Sequence, residues 1–167
     1  KNGSVKVTRT DLHRCYSPIS FTVIRTSFQR PVTDRVWWLT SAYAQWSPDR
    51  LHGVEQLSLG GESSVRGFKD QYISGNNGGY LRNELSWSLF SLPYVGTVRA
   101  VAALDGGWLH SDSDDPYSSG TLWGAAAGLS TTSGHVSGSF TAGLPLVYPD
   151  WLAPDHLTVY WRVAVAF

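Results

Sequence analysis

Hydrophobic and polar residues alternate with a period of two along several stretches of this chain. The clearest stretch runs from Leu157 to the final residue, Phe167, and covers about eleven residues. Its apolar positions are Leu157, Val159, Trp161, Val163, Val165 and Phe167. A tilted strand needs roughly nine to eleven residues to cross a bilayer. The pattern therefore predicts a β-strand of membrane-spanning length at this end of the chain.

Similar alternation recurs upstream. The apolar positions of these runs are Val136, Gly138, Phe140, Ala142 and Leu144; Trp123, Ala125, Ala127 and Leu129; Val98, Ala100, Ala102, Leu104 and Trp108; Leu81, Leu85, Trp87 and Leu89; and Ile19, Phe21 and Val23. Asn83 interrupts one apolar face. Residues 35–46 are strand-like but give no clear faces, and Val5 and Val7 mark a further candidate. Because no segment has a helical period, the chain is predicted to be all-β, with about seven or eight strands.

The connections between these runs alternate in length. Short turns are expected near residues 30–34, 92–96 and 131–134, and longer loops near residues 11–18, 47–79, 111–120 and 145–156. Outer-membrane barrels have this layout, with short periplasmic turns and long extracellular loops. We therefore predict an antiparallel transmembrane β-barrel whose last residue, Phe167, lies at the periplasmic rim.

A soluble barrel or sandwich is the main structural alternative, since alternation also marks a soluble core. Strands of four to eight residues are typical there, whereas several runs here reach about ten. The chain also carries 8 Trp and 8 Tyr, and those near strand ends fit the aromatic girdles of membrane barrels. These features favour the membrane barrel.

Composition narrows the function further. The 13 basic and 13 acidic side chains cancel, so no basic face is expected and no nucleic-acid partner is predicted. The single cysteine, Cys15, excludes an internal disulfide. The absence of a start methionine and of a signal peptide leads us to expect a piece of a longer precursor.

No motif points to catalysis or to a cofactor. Asp112, Asp114 and Asp115 lack the glycine and distal glutamate of a calcium loop. The five histidines show no metal-binding spacing, and no nucleophile elbow or phosphate loop is present. We therefore predict no enzyme activity, no metal and no cofactor.

The longest loop contains a specific motif. Residues 55–68 read EQLSLGGESSVRGF, ending in Val65, Arg66, Gly67 and Phe68. This segment resembles the signature of the outer-membrane superfamily that includes BamA, the Sam-type insertases and the two-partner secretion transporters. Its wider context, residues 55–84, is most similar to the last group, the TpsB family. The resemblance covers roughly residues 19–167.

A second motif of this superfamily is an aromatic residue or glycine followed by x-Asp-x-Gly. Here Asp105 and Gly107 match, and Ala103 departs from the first position. The alternation independently places Asp105 opposite the lipid face, in line with Glu84.

The resemblance implies a sixteen-stranded barrel with two periplasmic POTRA domains and an amino-terminal plug helix. This chain would be the C-terminal portion of that barrel, without the POTRA domains. The long loop, about residues 47–79, would fold into the lumen and pair Arg66 with Asp105. Gly67 would allow a tight tip, and Phe68 would anchor it by packing.

The end of the chain carries a further expectation. An aromatic terminal residue on an alternating strand resembles the signal that the outer-membrane assembly machinery reads. The residues of that signal would be Trp161, Val163, Val165 and Phe167. The assembly machinery and the lipid or lipopolysaccharide of the outer membrane are therefore predicted partners.

The resemblance implies a pore that translocates a large unfolded exoprotein of the TpsA type from the periplasm to the surface. That exoprotein would be an adhesin, a haemolysin or a contact-dependent toxin. Two alternatives stay open: an insertase of the same superfamily, acting on barrel precursors, and a small structural or adhesive barrel. A neighbouring gene for a very large exoprotein would favour secretion.

Overall fold

A computed structural model describes residues 22–110, 119–133 and 136–165. Nine strands lie in these ranges: β1 (Thr22–Pro31), β2 (Val36–Trp46), β3 (Leu57–Leu59), β4 (Ile73–Gly75), β5 (Asn77–Leu92), β6 (Gly96–His110), β7 (Gly120–Thr132), β8 (Val136–Val147) and β9 (Thr158–Val165). No helix in these ranges is long and apolar enough to cross a membrane.

Seven of the strands form one antiparallel sheet in the order β1-β2-β5-β6-β7-β8-β9. The short strands β3 and β4 pair with each other inside the long connection from β2 to β5. Among the described strands, β1 and β9 lie at the two edges of the large sheet. The all-β antiparallel architecture predicted from the sequence is confirmed.

The two faces of the large sheet differ sharply. We call the face that carries Leu81, Leu104, Trp123, Phe140 and Trp161 the outer face; these large apolar side chains are all exposed. The opposite face, which carries Glu84, Asp105, Ser139 and Arg162, is called the inner face. Large exposed apolar surfaces on monomeric proteins mark contact with lipid or with partners. The outer face therefore has the character expected of a lipid-facing barrel wall.

Strand β2 explains why the sequence did not assign its faces. Trp38 lies on the outer face beside Leu85, whereas Trp37 and Tyr43 lie on the inner face. The Tyr43 ring stacks on Tyr80 of β5 with ring centroids 5.4 Å apart. Aromatic residues on both sides of one strand remove the periodic signal.

Asn83, the polar interruption of the β5 outer face, has a partner. Its cross-strand neighbour is Thr40, whose hydroxyl donates a hydrogen bond of 2.8 Å to the Asn83 side-chain oxygen. A polar group facing lipid is costly unless it is hydrogen-bonded. The two side chains satisfy each other.

Three sequence predictions need correction. Val23 pairs with Gln45 on the inner face, while Ile24 and Phe28 carry the outer face of β1; a three-residue pattern was too short to set the register. The long connection ends earlier than predicted, because β5 starts at Asn77. Leu89 falls at a β-bulge, where the extra residue moves Phe90 opposite Val98 of the outer face.

The buried core lies between the inner face and the connection of residues 47–76, which we call the inserted loop. Its members are Leu57, Leu59, Val65, Phe68 and Ile73 from this loop, with Leu109, Leu122 and Leu152. The core therefore exists because the inserted loop folds back onto the sheet.

Several predictions fall outside the described residues. They concern Val5, Val7, Ile19 and Phe21, Cys15, the aspartates Asp112, Asp114 and Asp115, and Phe167. The predicted short turns before β2 and β6, and the long connection before β9, agree with the strand bounds.

Candidate functional site

Arg66 at the tip of the inserted loop meets the inner face of β6. Its Nε donates a hydrogen bond of 2.6 Å to Oδ2 of Asp105, and its Nη2 donates one of 2.9 Å to Oδ1. The backbone N–H of Arg66 also donates to Oδ2, at 3.2 Å. Two parallel guanidinium bonds fix the orientation of both groups as well as attracting them. The loop tip is therefore held to one defined point on the wall.

Glu84 of β5 takes the remaining edge of the guanidinium. Arg66 Nη1 donates a hydrogen bond of 2.7 Å to Glu84 Oε2. The side chains of Arg66 and Asp105 are 6% and 1% exposed, whereas that of Glu84 is 28% exposed. One cation thus joins two carboxylates on adjacent strands, and the deepest contact is with Asp105.

Because this ion cluster is buried, the loss of any one of its members is costly. Removing one partner of a buried ion pair typically costs about 3–5 kcal/mol, because the other charge is left uncompensated. Burial alone lowers the pKa of Arg66, but the hydrogen bonds and charges of Asp105 and Glu84 outweigh it and raise that pKa. The guanidinium therefore stays charged while the tip is seated.

Gly67 follows Arg66 and lies against the backbone of β8. Its φ is +104°, a conformation that side-chain-bearing residues rarely adopt. A Cβ here would lie 2.6 Å from the carbonyl of Leu144, so the wall leaves no space for one. Both facts require glycine at the tip.

The wall accommodates the tip through glycines of its own. A Cβ on Gly124 of β7 would lie 1.7 Å from the carbonyl oxygen of Arg66, and one on Gly143 of β8 would lie 2.7 Å from the Gly67 nitrogen. Gly107 of β6 plays a similar part for β3, since a Cβ there would lie 2.9 Å from the Leu59 side chain. The loop backbone therefore seats directly on the strands.

Val65 and Phe68 flank the tip and anchor it by packing. Both side chains are completely buried in the core under the inserted loop. The Phe68 ring also meets Tyr148 edge-on, with centroids 6.2 Å apart. Burying a side chain of this size contributes roughly 1.5–3 kcal/mol, so packing and charge hold the tip together.

Strand β9 makes a second attachment that sequence reasoning missed. The Gly67 N–H donates to the Tyr160 hydroxyl at 3.2 Å, and that hydroxyl donates to the Phe68 carbonyl at 3.3 Å. The Thr158 hydroxyl donates to the Gly67 carbonyl at 3.2 Å. Both residues lie on the polar side of the alternation, which gave their face but not their partner.

The structure does not bring every predicted residue together. Arg66, Asp105 and Glu84 meet, Val65, Gly67 and Phe68 surround them, and Gly107 lies nearby under β3. Trp161, Val163 and Val165 are exposed on the outer face of β9, away from this cluster. The two sets therefore belong to different surfaces.

A polar cavity of about 430 Å³ opens beside the ion cluster. Its lining combines both charges with hydroxyl groups: Glu62, Ser63, Arg66, Arg82, Glu84, Val101, Ser130, Ser139, Thr141 and Arg162. Arg162 Nη2 lies 3.2 Å from Glu62 Oε1, and both side chains are well exposed. A lining of this kind suits water and passing polar groups more than a tightly held apolar ligand.

Comparison with known proteins places the chain in a family. The family model of the haemolysin secretion/activation proteins ShlB/FhaC/HecB matches residues 15–131. The chain is 98% identical, over 144 residues, to the outer membrane transporter CdiB of Escherichia coli, covering 86% of this chain and 24% of that protein. It is 42% identical over 89 residues to the hemolysin transporter protein ShlB of Serratia marcescens, covering 53% of the chain and 15% of that protein.

A solved structure gives the same result. The structure of CdiB from Escherichia coli matches with a TM-score of 0.84 and 95% identity, over 89% of this chain and 28% of that one. The chain thus spans about a quarter of the length of these relatives. The predicted outer-membrane β-barrel fold and location are confirmed, and the chain belongs to the ShlB/FhaC/HecB family, the TpsB transporters of two-partner secretion.

Proposed function

We propose that this chain forms part of an outer-membrane pore that translocates a large unfolded exoprotein from the periplasm to the cell surface. The exoprotein is of the TpsA type: an adhesin, a haemolysin or a contact-dependent toxin. Relatives that are named transporters support this assignment. No catalytic step is assigned to the chain.

One observation carries the mechanism: a buried Arg66–Asp105 pair joins the inserted loop to the barrel wall. A loop seated on the inner face occupies space that a polypeptide would need. The loop therefore braces the barrel at rest and leaves its seat during transport. This gating motif comprises Val65, Arg66, Gly67, Phe68, Glu84, Asp105 and Gly107.

The direction of transport comes from outside the chain. The outer membrane has no ATP supply, so folding of the exoprotein at the surface draws the unfolded part through. The polar lining of the inner face lets the segment in transit stay hydrated and move on, since conduction requires weak, multiple contacts. POTRA domains elsewhere in the transporter capture the exoprotein in the periplasm.

The test uses a full-length transporter that carries this sequence, expressed with its exoprotein. Arg66→Ala, Asp105→Ala and the double variant are compared for exoprotein on the cell surface, and barrel assembly is checked by heat-modifiable gel mobility. Each single variant should assemble and lose most secretion. The double variant should be no worse than either single, because neither member of the Arg66–Asp105 pair is left behind as an unpaired buried charge.

Other outcomes distinguish the alternatives. Normal secretion by both single variants would remove the bracing role. A fall in other outer-membrane proteins, with secretion intact, would favour an insertase. A variant that fails to assemble can be replaced by Arg66→Lys, which keeps the charge but loses the paired guanidinium geometry.

A further inference from the structure

Arg82 of β5 is the direct cross-strand neighbour of Asp105. Both side chains lie on the inner face, and Arg82 Nε is 3.9 Å from Asp105 Oδ1. Residues opposite each other in an antiparallel pair have Cβ atoms about 4.5–5.5 Å apart. Arg82 is therefore within reach of Asp105, although Arg66 holds both carboxylate oxygens.

The present contacts of Arg82 are incomplete. Its Nη1 donates a hydrogen bond of 3.2 Å to the carbonyl of Ser63 in the inserted loop. Its Nε is buried and has no hydrogen-bond partner among the described residues. A buried donor without a partner costs free energy. The Arg82 side chain lies next to the Asp105 carboxylate, which Arg66 already binds.

Release of the inserted loop would remove hydrogen bonds from both Asp105 and Arg82. Asp105 would lose all three hydrogen bonds from Arg66, and Arg82 would lose Ser63. Asp105 would remain a carboxylate in the wall without its cation, which is expensive. A small side-chain rotation would bring the unpartnered Nε of Arg82 onto Asp105.

We propose that Arg82 is the replacement counter-ion of Asp105 in the state in which the inserted loop has left its seat. It is a positioning residue for gating, acting through Asp105. The exchange lowers the free energy of the released state, so loop release costs less than the loss of the Arg66 pair alone. The inference rests on the proposed gating role of the loop.

Other arginines of the polar cavity are less suited to this exchange. Arg66 leaves with the loop itself. Arg162 lies on β9, three strands from β6, and faces Glu62. Among the cations that line the cavity, only Arg82 is paired in register with Asp105.

A simple structural role predicts the opposite sign. If Arg82 merely holds the loop through Ser63, removing it would loosen the loop and favour release. If Arg82 replaces Arg66 at Asp105, removing it penalises the released state and keeps the loop seated. The direction of the change therefore separates the two roles.

The experiment measures loop release in the full-length transporter by single-channel recording in planar bilayers. Nitroxides at Ser63→Cys and Ser139→Cys, with Cys15→Ser, report loop position independently by pulsed electron paramagnetic resonance. Arg82→Gln is compared with Arg82→Lys. Arg99→Gln is the matched control, since Arg99 lies on the same face of β6 but pairs in register with Ser88 and Ser130.

We expect Arg82→Gln to lower the open probability and the released population roughly tenfold, the loss of one hydrogen bond to a charged group. Arg82→Lys should stay within about threefold of the parent because it keeps the charge, and Arg99→Gln should match the parent. More frequent opening, or no change, in Arg82→Gln would overturn the proposal.

The result can be separated from failure of the proposed function. If Arg66→Ala leaves opening and secretion unchanged, the gating role itself is wrong. If Arg66→Ala acts as predicted but Arg82→Gln increases opening, only the replacement role is wrong. If Arg82→Gln does not assemble, Arg82→Lys decides: a tenfold loss there would show that charge is not what Arg82 supplies.

Discussion

At the scale of single residues, the seat of the loop tip depends on missing side chains as much as on charge. Arg66 reaches Asp105 because its backbone lies directly on Gly124, where a Cβ would be 1.7 Å from the Arg66 carbonyl oxygen. Packed interiors do not absorb such an overlap without moving the backbone. The position of the guanidinium is therefore set by glycine in the wall.

Gly124→Ala should displace the loop tip without removing any charge. We expect loss of most secretion and more frequent pore opening from a barrel that still assembles, since overpacking costs about 1–3 kcal/mol. The measurement is surface exoprotein together with single-channel recording. Gly138→Ala is the control, because a Cβ there meets only ordinary contacts, at 3.5 Å and beyond. Equal behaviour of the two variants would contradict this account.

Sequence motifs predicted part of this site and missed the rest for a physical reason. The meeting of Arg66 with Asp105 was expected because charged residues in two separate motifs resembled those of one family. Gly124 and Gly143 carry no such signal, since a glycine in a strand has several possible meanings. The structure shows that these two glycines leave space for the backbone of the inserted loop, which lies directly above them.

At the scale of elements, the inserted loop ties together strands that are distant in the sheet order. Arg66 binds β5 and β6, and the following two residues bind β9 through Tyr160 and Thr158. The loop thus spans from the middle of the described sheet to its edge. Its release must loosen β9 as well as free Asp105.

Tyr160→Phe should weaken this second attachment while leaving the ring in place. The loss of two hydrogen bonds, each worth about 1 kcal/mol, should raise the pore-opening frequency and lower the temperature of heat-modifiable unfolding. Combining it with Thr158→Val should enlarge both effects. The control is Tyr94→Phe, at an almost fully exposed turn residue. Unchanged opening in the double variant would show that β9 does not hold the loop.

Strand prediction was most successful where one face was purely apolar. The outer faces of β5 to β9 follow the alternation, because lipid-facing positions accept only apolar or internally paired side chains. The alternation did not predict the faces of β2, because Trp37 and Tyr43 lie on the inner face. It also failed in β1, where Val23 indicated the wrong register. The hairpin of β3 and β4 was missed because three-residue strands carry no period.

At the scale of the whole molecule, the described sheet is an open wall with two chemically different sides. The outer face is apolar and exposed, and the inner face carries the inserted loop, the ion cluster and the polar cavity. Its core lies between loop and wall, so loop release would expose apolar groups such as Phe68. The free-energy cost of exposing these groups keeps the loop seated unless another apolar contact replaces the one that is lost.

The inner face is proposed to line the path of the exoprotein. The most direct test places a photo-crosslinking amino acid at Ser139 or at its neighbour Phe140, in a full-length transporter with an exoprotein stalled in transit. These adjacent residues of β8 face opposite sides: Ser139 lines the polar cavity, and Phe140 is exposed on the outer face. We expect exoprotein adducts from position 139 and none from position 140. Adducts from position 140, or none from either position during active secretion, would contradict it.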